Sequence, residues 1–222
     1  MYHNETPFLY TVYQFKSIRF GRISRKEYQL MENQKWADPN ALANVATGLG
    51  IYSLIPYFFG LVDNIVGCIP WMFGGLICMI IAVVGLFKNG DIVSATANAI
   101  LTVVCLFGNF YHAFITLVWG SNVTENFQAS LVMGDGMADL AAAFFCGCVA
   151  YIAWGANKLQ SIAVALPTLA FFLLFLMQMG IAGPFWFIPQ ICFTLFGTWL
   201  VYSGAAIMFH QATGKQILPY IK

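Results

Sequence analysis

The stretch IVSATANAILTVVCLFGNFYHAFITLVW, residues 92–119, contains no Asp, Glu, Lys or Arg. A helix needs about 20 residues to cross the hydrocarbon core of a bilayer, whereas a membrane barrel would show short alternating segments. The stretch therefore predicts a transmembrane helix. Other apolar runs flank it on both sides, which gives six predicted spans at 40–62, 69–87, 92–119, 137–156, 162–179 and 185–210.

The composition of the whole chain agrees with this interpretation. Of the 222 residues, 60% are hydrophobic and 9% are charged, and the mean hydropathy is +0.75. These values lie far outside soluble globular usage. We expect an all-α membrane protein, surrounded by membrane lipid, with one transmembrane domain at 37–214 between an N-terminal segment at 1–36 and a C-terminal tail at 215–222. A formal net charge of +1 without a basic patch gives no reason to expect a nucleic-acid partner.

The basic residues predict the orientation of the helices. Lys and Arg resist translocation and therefore collect in cytoplasmic loops. All ten precede the first predicted span or follow the second, fourth or sixth: Lys16, Arg19, Arg22, Arg25, Lys26, Lys35, Lys88, Lys158, Lys215 and Lys222. Both termini are therefore predicted to be cytoplasmic, in an inner or plasma membrane. The basic and aromatic segment 1–36 fits either a cytoplasmic tail or an amphipathic helix on anionic lipid.

The third span carries a polar stripe. Its polar or small polarisable residues recur every three or four positions, at Ser94, Asn98, Thr102, Cys105, Asn109, His112 and Thr116. On a uniform helix these residues fall within about 80° of arc. Such a stripe is expensive against lipid, so we expect it to face protein or water. It fits either a solute path or hydrogen bonds between helices.

Shorter stripes of amide and hydroxyl side chains occur in two other spans. They are Asn40, Asn44 and Thr47 in the first span and Gln190, Thr194, Thr198 and Tyr202 in the sixth. Together with the third span they predict a narrow, uncharged pathway whose groups replace part of a small solute's hydration.

Few side chains offer acid–base chemistry. Asp135 and Asp139 are one helical turn apart at the start of the predicted fourth span. They fit either a proton relay or a helix cap at Asp135 with Asp139 beside the helix dipole. His112 fits either a pH sensor or a packing histidine. The sequence offers no catalytic or metal-ligating pattern, so we expect neither an enzyme nor a cofactor, and we expect the six cysteines to be reduced thiols.

Four short segments resemble the acetate uptake transporter family, also called the succinate–acetate permeases. They are 37–42 (ADPNAL), 73–75 (FGG) with 88–90 (KNG) and 96–97 (TA), 154–156 (WGA) with 159–160 (LQ), and 214–219 (GKQILP). The first segment departs from the family's Asn-Pro-Ala-Pro-Leu-Gly-Leu pattern at Asp38 and Ala41. The resemblance implies six helices per protomer, a path through each protomer and a homohexameric ring.

The resemblance also implies where the path is narrowest. The family is expected to narrow its pore with a Phe, a Tyr and a Leu, and the matching positions here are Thr47, Leu101 and Leu166. The absence of the two aromatic rings at these positions predicts a wider throat and an altered selectivity.

These observations predict the passage of a small monocarboxylate such as acetate along a channel-like or proton-linked path. The candidate pore residues are Asn40, Asn44, Thr47, Asn98, Leu101, Thr102, Asn109, Leu166 and Thr194, and the candidate pH-sensing residues are His112 and Asp139. The asparagines would donate hydrogen bonds to the carboxylate, and the leucines would form an apolar throat. Three alternatives stay open: a pH-gated channel for a neutral amide such as urea, a membrane subunit of a redox enzyme, and a sensor or scaffold without transport.

Overall fold

The computed structural model describes residues 37–122, 124–183 and 185–215. The N-terminal segment 1–36, for which the sequence fits either a tail or an amphipathic helix, lies outside the described residues. So do residues 216–222, which hold most of the last segment that resembles the permeases.

Six long helices follow one another along the described chain. They are α1 (Asn40–Phe58), α2 (Ile69–Lys88), α3 (Ile92–Trp119), α4 (Glu125–Trp154), α5 (Lys158–Gln178) and α6 (Phe187–Thr213). Each is long and apolar enough to cross a membrane, α2 together with the short 3₁₀ turn before it. The ranges that the structure describes contain no strand. The predicted all-α architecture with six spans is confirmed, and the chain is a multi-pass membrane protein.

Side-chain caps decide where two of the helices begin. Asp91 accepts a hydrogen bond from the Ser94 amide at 3.0 Å, and α3 begins directly after it, as predicted. Asn157 accepts one from the Gln160 amide at 3.1 Å, so α5 begins at Lys158, one turn before the predicted start. A capping oxygen satisfies an amide that would otherwise have no partner in the first turn.

α4 begins about three turns earlier than the apolar run predicts. Its N-cap is Thr124, whose hydroxyl accepts a hydrogen bond from the Phe127 amide at 3.4 Å. The expectation that Asp135 caps this helix, with Asp139 beside its N-terminal dipole, is wrong. More than two turns of helix precede Asp135, so both carboxyls lie well inside α4.

The middle of α3 is not an ordinary α-helix. Two α-helical parts, Ile92–Leu101 and Asn109–Trp119, flank a π-helix at Thr102–Gly108. Hydrogen bonds in a π-helix reach five residues along the chain instead of four, and such turns occur frequently at functional sites. The stripe prediction assumes a uniform helix, so the wider π-turns change the direction of its second half relative to its first.

Close contact between the first and last helices closes the bundle. α1 packs on α2 and α6, α5 packs on α4 and α6, and α3 packs on α2. Glycines allow the approach of α6 to α1: a Cβ at Gly204 would lie 3.0 Å from the Ala41 carbonyl oxygen, and one at Gly197 would lie 2.8 Å from Ile51 Cγ2. By contrast, α3 and α4 touch over fewer residues than other helices that follow each other in the chain.

This packing predicts a cost for a single methyl group at Gly204. In Gly204→Ala the new Cβ would meet Val45 Cγ2 at 2.7 Å as well as the backbone oxygen of Ala41, which cannot move alone. We expect the free energy of unfolding in detergent to fall by about 1–3 kcal/mol. Gly74→Ala is the matched control, because nothing lies within 4 Å of its Cβ position and it gains the same helix propensity, about 1 kcal/mol. Equal stability of the two variants would contradict the packing.

Candidate functional site

A cavity of about 390 Å³ lies at the end of the bundle where α1, α3 and α5 begin. We call it the amide cavity, because carboxamides line it at Asn40, Asn44, Asn98 and Gln160. The C-terminal half of α4 and the part of α6 from Phe196 to Ile207 complete its wall. The lysines of the described chain lie at this end of the bundle without lining the cavity: Lys88, Lys158 and Lys215.

Each carboxamide of the amide cavity is held by one hydrogen bond. The bonds run from Asn40 Nδ2 to Asp38 Oδ1 (2.9 Å), from Asn44 Nδ2 to Ser203 Oγ (3.0 Å), from Asn98 Nδ2 to the Ser94 carbonyl (2.9 Å) and from Trp199 Nε1 to Gln160 Oε1 (2.9 Å). A carboxamide nitrogen carries two N–H donors. Each asparagine is therefore oriented by one N–H donor and has a second one that donates no hydrogen bond to a described residue.

A second cavity, of about 340 Å³, lies at the opposite end, where α1, α3 and α5 end. We call it the acidic cavity, because Asp135 and Asp139 line it together with Asn109, His112 and Gln178. His112 Nε2 lies 2.7 Å from Asp135 Oδ2, and this bond joins α3 to α4. Among the described residues, no Lys or Arg lines either cavity. Asp135 and Asp139, when ionised, would therefore repel a free anion from the acidic cavity.

Asp139 and Gln178 form the buried polar part of the acidic cavity. The Asp139 side chain is 6% exposed, and an ionised carboxylate is among the groups most costly to bury. Gln178 Oε1 is buried and has no hydrogen-bond partner among the described residues. It lies 3.2 Å from the position of a Cβ at Gly136, one turn before Asp139, and the amide and the carboxyl are in contact.

A packed apolar layer lies between the two cavities. Leu101, Cys146 and Phe196 line the amide cavity, and Cys105, Phe171 and Phe193 line the acidic cavity. All of them belong to one core cluster, and none is more than 7% exposed. The Phe171 and Phe193 rings meet edge to face at 5.1 Å between centroids. A solute that passed from one cavity to the other would have to part these side chains.

The structure brings seven of the predicted site residues to the cavities. Asn40, Asn44, Asn98 and Leu101 lie at the amide cavity, and Asn109, His112 and Asp139 lie at the acidic cavity. Asn98 and Asn109 come from the same polar stripe of α3, on opposite sides of the apolar layer. α2 lines neither cavity.

The other four predicted residues line neither cavity. Thr47 is fully buried and donates a hydrogen bond to Met79 Sδ at 3.2 Å, between α1 and α2. Thr102 and Thr194 donate to carbonyls one turn back in their own helices, at 2.7 and 2.8 Å. Leu166 is half-buried and packs against the core cluster that contains the apolar layer.

Sequence reasoning does not identify several cavity residues. Gln160 and Gln178 lie near the ends of α5, where a carboxamide is normally taken as a residue at the membrane boundary. The apolar layer contains Phe171, Phe193 and Phe196, and a phenylalanine that faces a cavity has the same hydropathy as one that faces lipid. Only the packing of α5 and α6 shows which rings point inward.

These features define a class: a multi-pass helical membrane protein with a cavity at each end of one bundle and an apolar layer between them. No protein-family model matches the chain, and neither does any curated protein or solved structure. Within the described part of the chain, no group of three or more His, Cys, Asp or Glu is placed to hold a metal ion.

The two cavities predict that cysteines introduced into them react from opposite sides of the membrane. Ala97 lines the amide cavity, Ala138 lines the acidic cavity, and Ala165 is an exposed residue of α5 that lines neither. A thiol forms the reactive thiolate only where water reaches it. Ala165 lies inside a membrane span, so its exposed side chain is expected to face lipid rather than water. With a membrane-impermeant thiol reagent, we expect Ala97→Cys to react from one side of the membrane, Ala138→Cys from the other, and Ala165→Cys from neither.

Mass spectrometry of protein labelled in sealed vesicles measures the outcome. The unmodified chain is labelled in parallel, because it contains six free cysteines of its own. Reaction of both cavity variants from the same side would show that the cavities do not open to opposite faces.

Proposed function

We propose that the protein carries a small monocarboxylate, with acetate as the first candidate, across a cell membrane by a proton-linked path through the two cavities. The observation that carries this proposal is the pair of asparagines on α3. Asn98 lines one cavity and Asn109 lines the other, so the same polar stripe supplies an amide to the cavity on each side of the apolar layer.

The amide cavity supports a weakly bound carboxylate. Its asparagines offer N–H donors, no described Lys or Arg lines it, and its one carboxyl, Asp38, accepts the hydrogen bond that holds the Asn40 amide. Donors of this kind replace part of the hydration of a small anion but do not fix it, because no permanent counter-charge is present. A path with weak sites lets its solute leave, which flux requires.

The orientation is part of the same proposal. The described lysines lie at the end of the bundle that holds the amide cavity. By the positive-inside rule this end and both termini are cytoplasmic, and the acidic cavity opens to the outside. We also propose that the chain is a divergent acetate uptake transporter that assembles as a homohexameric ring, on the basis of the four segments that resemble the family.

The acidic cavity favours a second candidate, a small neutral amide such as urea. Two carboxyl groups without a neighbouring Lys or Arg repel an anion but not a neutral solute. In this alternative the His112–Asp135 hydrogen bond, which joins α3 to α4 at the mouth, would be the gate. Osmotic swelling of vesicles in urea and in acetate separates the two candidates.

Uptake of radiolabelled acetate into proteoliposomes tests the main proposal. We expect uptake well above that of empty vesicles, and a roughly tenfold lower rate in Asn98→Leu. The loss of one hydrogen bond of about 1.4 kcal/mol in the path corresponds to that factor. Uptake by the unmodified protein no faster than that of empty vesicles would reject the proposal.

Thr116→Val is the matched control for Asn98→Leu. Thr116 belongs to the same helix and bonds to its own backbone at 2.9 Å, but it is exposed and lines neither cavity. Removal of the Thr116 hydroxyl in this variant should leave uptake unchanged. An equal loss of uptake in both variants would assign the effect to α3 as a helix rather than to the amide.

A further inference from the structure

We propose that the Asp139 carboxyl, facing the Gln178 amide, is the proton-binding site of the acidic cavity and neutralises the solute before it crosses the apolar layer. This inference rests on the proposed transport of a monocarboxylate. It names the residue that takes the proton and the step in which the proton moves.

The first argument is the burial of Asp139. The residue is 6% exposed, and among the described residues the Gln178 amide is the polar side chain that interacts with its carboxyl as a hydrogen-bond partner. Apolar residues of α1, α5 and α6 surround the cavity wall near it: Ile51, Leu54, Phe58, Phe171, Leu174 and Phe193. A carboxyl in this setting serves better as a proton carrier than as a fixed charge.

The second argument is the unpartnered oxygen of Gln178. Oε1 is buried without a hydrogen-bond partner among the described residues and lies against Gly136 of α4, one turn before Asp139. The N–H₂ group of the same amide stabilises an ionised Asp139 carboxylate, which only accepts. When Asp139 is protonated, its carboxyl is an O–H donor, and rotation of the amide by half a turn presents Oε1 to it. One carboxamide can therefore stabilise both protonation states of the same carboxyl.

The third argument is the arrangement of the other titratable groups. On α4, Asp135 lies one turn away from Asp139 and is bonded to His112 of α3 at 2.7 Å. The remaining titratable groups of the cavity wall are Cys105 and Tyr111 of α3, and α1, α5 and α6 contribute no charged residue to the described wall. Asp135 thus has a partner that can bear a positive charge, and Asp139 has none.

The proposed step balances in protons and charge. A hydronium ion in the water of the acidic cavity transfers a proton to an Asp139 oxygen and becomes water, and the new O–H bond removes the negative charge that would repel the solute. The solute carboxylate then accepts a hydrogen bond from this O–H. When the proton transfers, the bond to Asp139 breaks and an O–H bond forms on the solute. A neutral carboxylic acid crosses the apolar layer, and the Asp139 carboxylate returns to its initial state.

Purified full-length protein in proteoliposomes tests the assignment with Asp139→Asn and with Asp63→Asn as the control. Asp63 is an exposed residue between α1 and α2 and lines neither cavity. Acetate uptake is measured while the pH on the side of the acidic cavity is varied. We expect uptake to rise as this pH falls in the unmodified protein and in Asp63→Asn, and to lose most of its dependence on pH in Asp139→Asn. A pH profile in Asp139→Asn equal to that of the control would overturn the proposal.

An infrared titration of the same samples gives a readout that does not depend on transport. We expect the carbonyl band of a protonated carboxylic acid in the unmodified protein, its loss in Asp139→Asn, and a shifted band in Gln178→Leu, which keeps the carboxyl but removes its acceptor. If the unmodified protein carries no acetate, the proposed function fails while the band still decides the proton site. A band that persists unchanged in Asp139→Asn would refute the site even if acetate is carried.

Discussion

The structure depends on one constraint: in hydrocarbon, a polar group must find its partner inside the protein. The six helices satisfy their backbone groups internally, and many hydroxyl side chains do the same. Thr102, Thr168 and Thr194 each donate to a carbonyl one turn back in their own helix. Polar residues at helical spacing therefore need no solute and no second helix. What distinguishes Asn98 and Asn109 is that they also reach a cavity.

The cavities form where the helices are held apart. Glycines of α6 allow it to approach α1 closely, so the bundle is tightly packed on that side. On the other side, α3 and α4 meet mainly through the apolar layer and the His112–Asp135 bond. The π-helix of α3 lies between Asn98 and Asn109, at the height of the apolar layer. A wider turn at this point lets one helix present polar groups to two cavities that are separated by packed side chains.

The sequence predicts the six helices well, because length and hydropathy suffice for a membrane span. It predicts the site less well, because a position on a helix does not say what that helix packs against. Thr47 has the spacing of a pore residue, yet its partner is Met79. Asp135 looks like a cap as long as the apolar run alone defines α4, and Thr124 shows that the helix begins earlier. Gln178 gives no signal in the sequence, since its role depends on the contact of α5 with α4.

The apolar layer and the acidic cavity would impose a common requirement on the proposed solute. An isolated charge in an apolar environment costs many kcal/mol, far more than a few amide hydrogen bonds return. Among its six residues the layer offers only the weakly polar thiols of Cys105 and Cys146 and no charge, so an anion in it would lose its hydration without a counter-charge. The cavity before it contains two carboxyls and a histidine but no fixed cation in the described chain. In the proposed transport of a carboxylate, the charge is therefore removed rather than balanced, and the proton delivered in the acidic cavity is the group proposed to remove it.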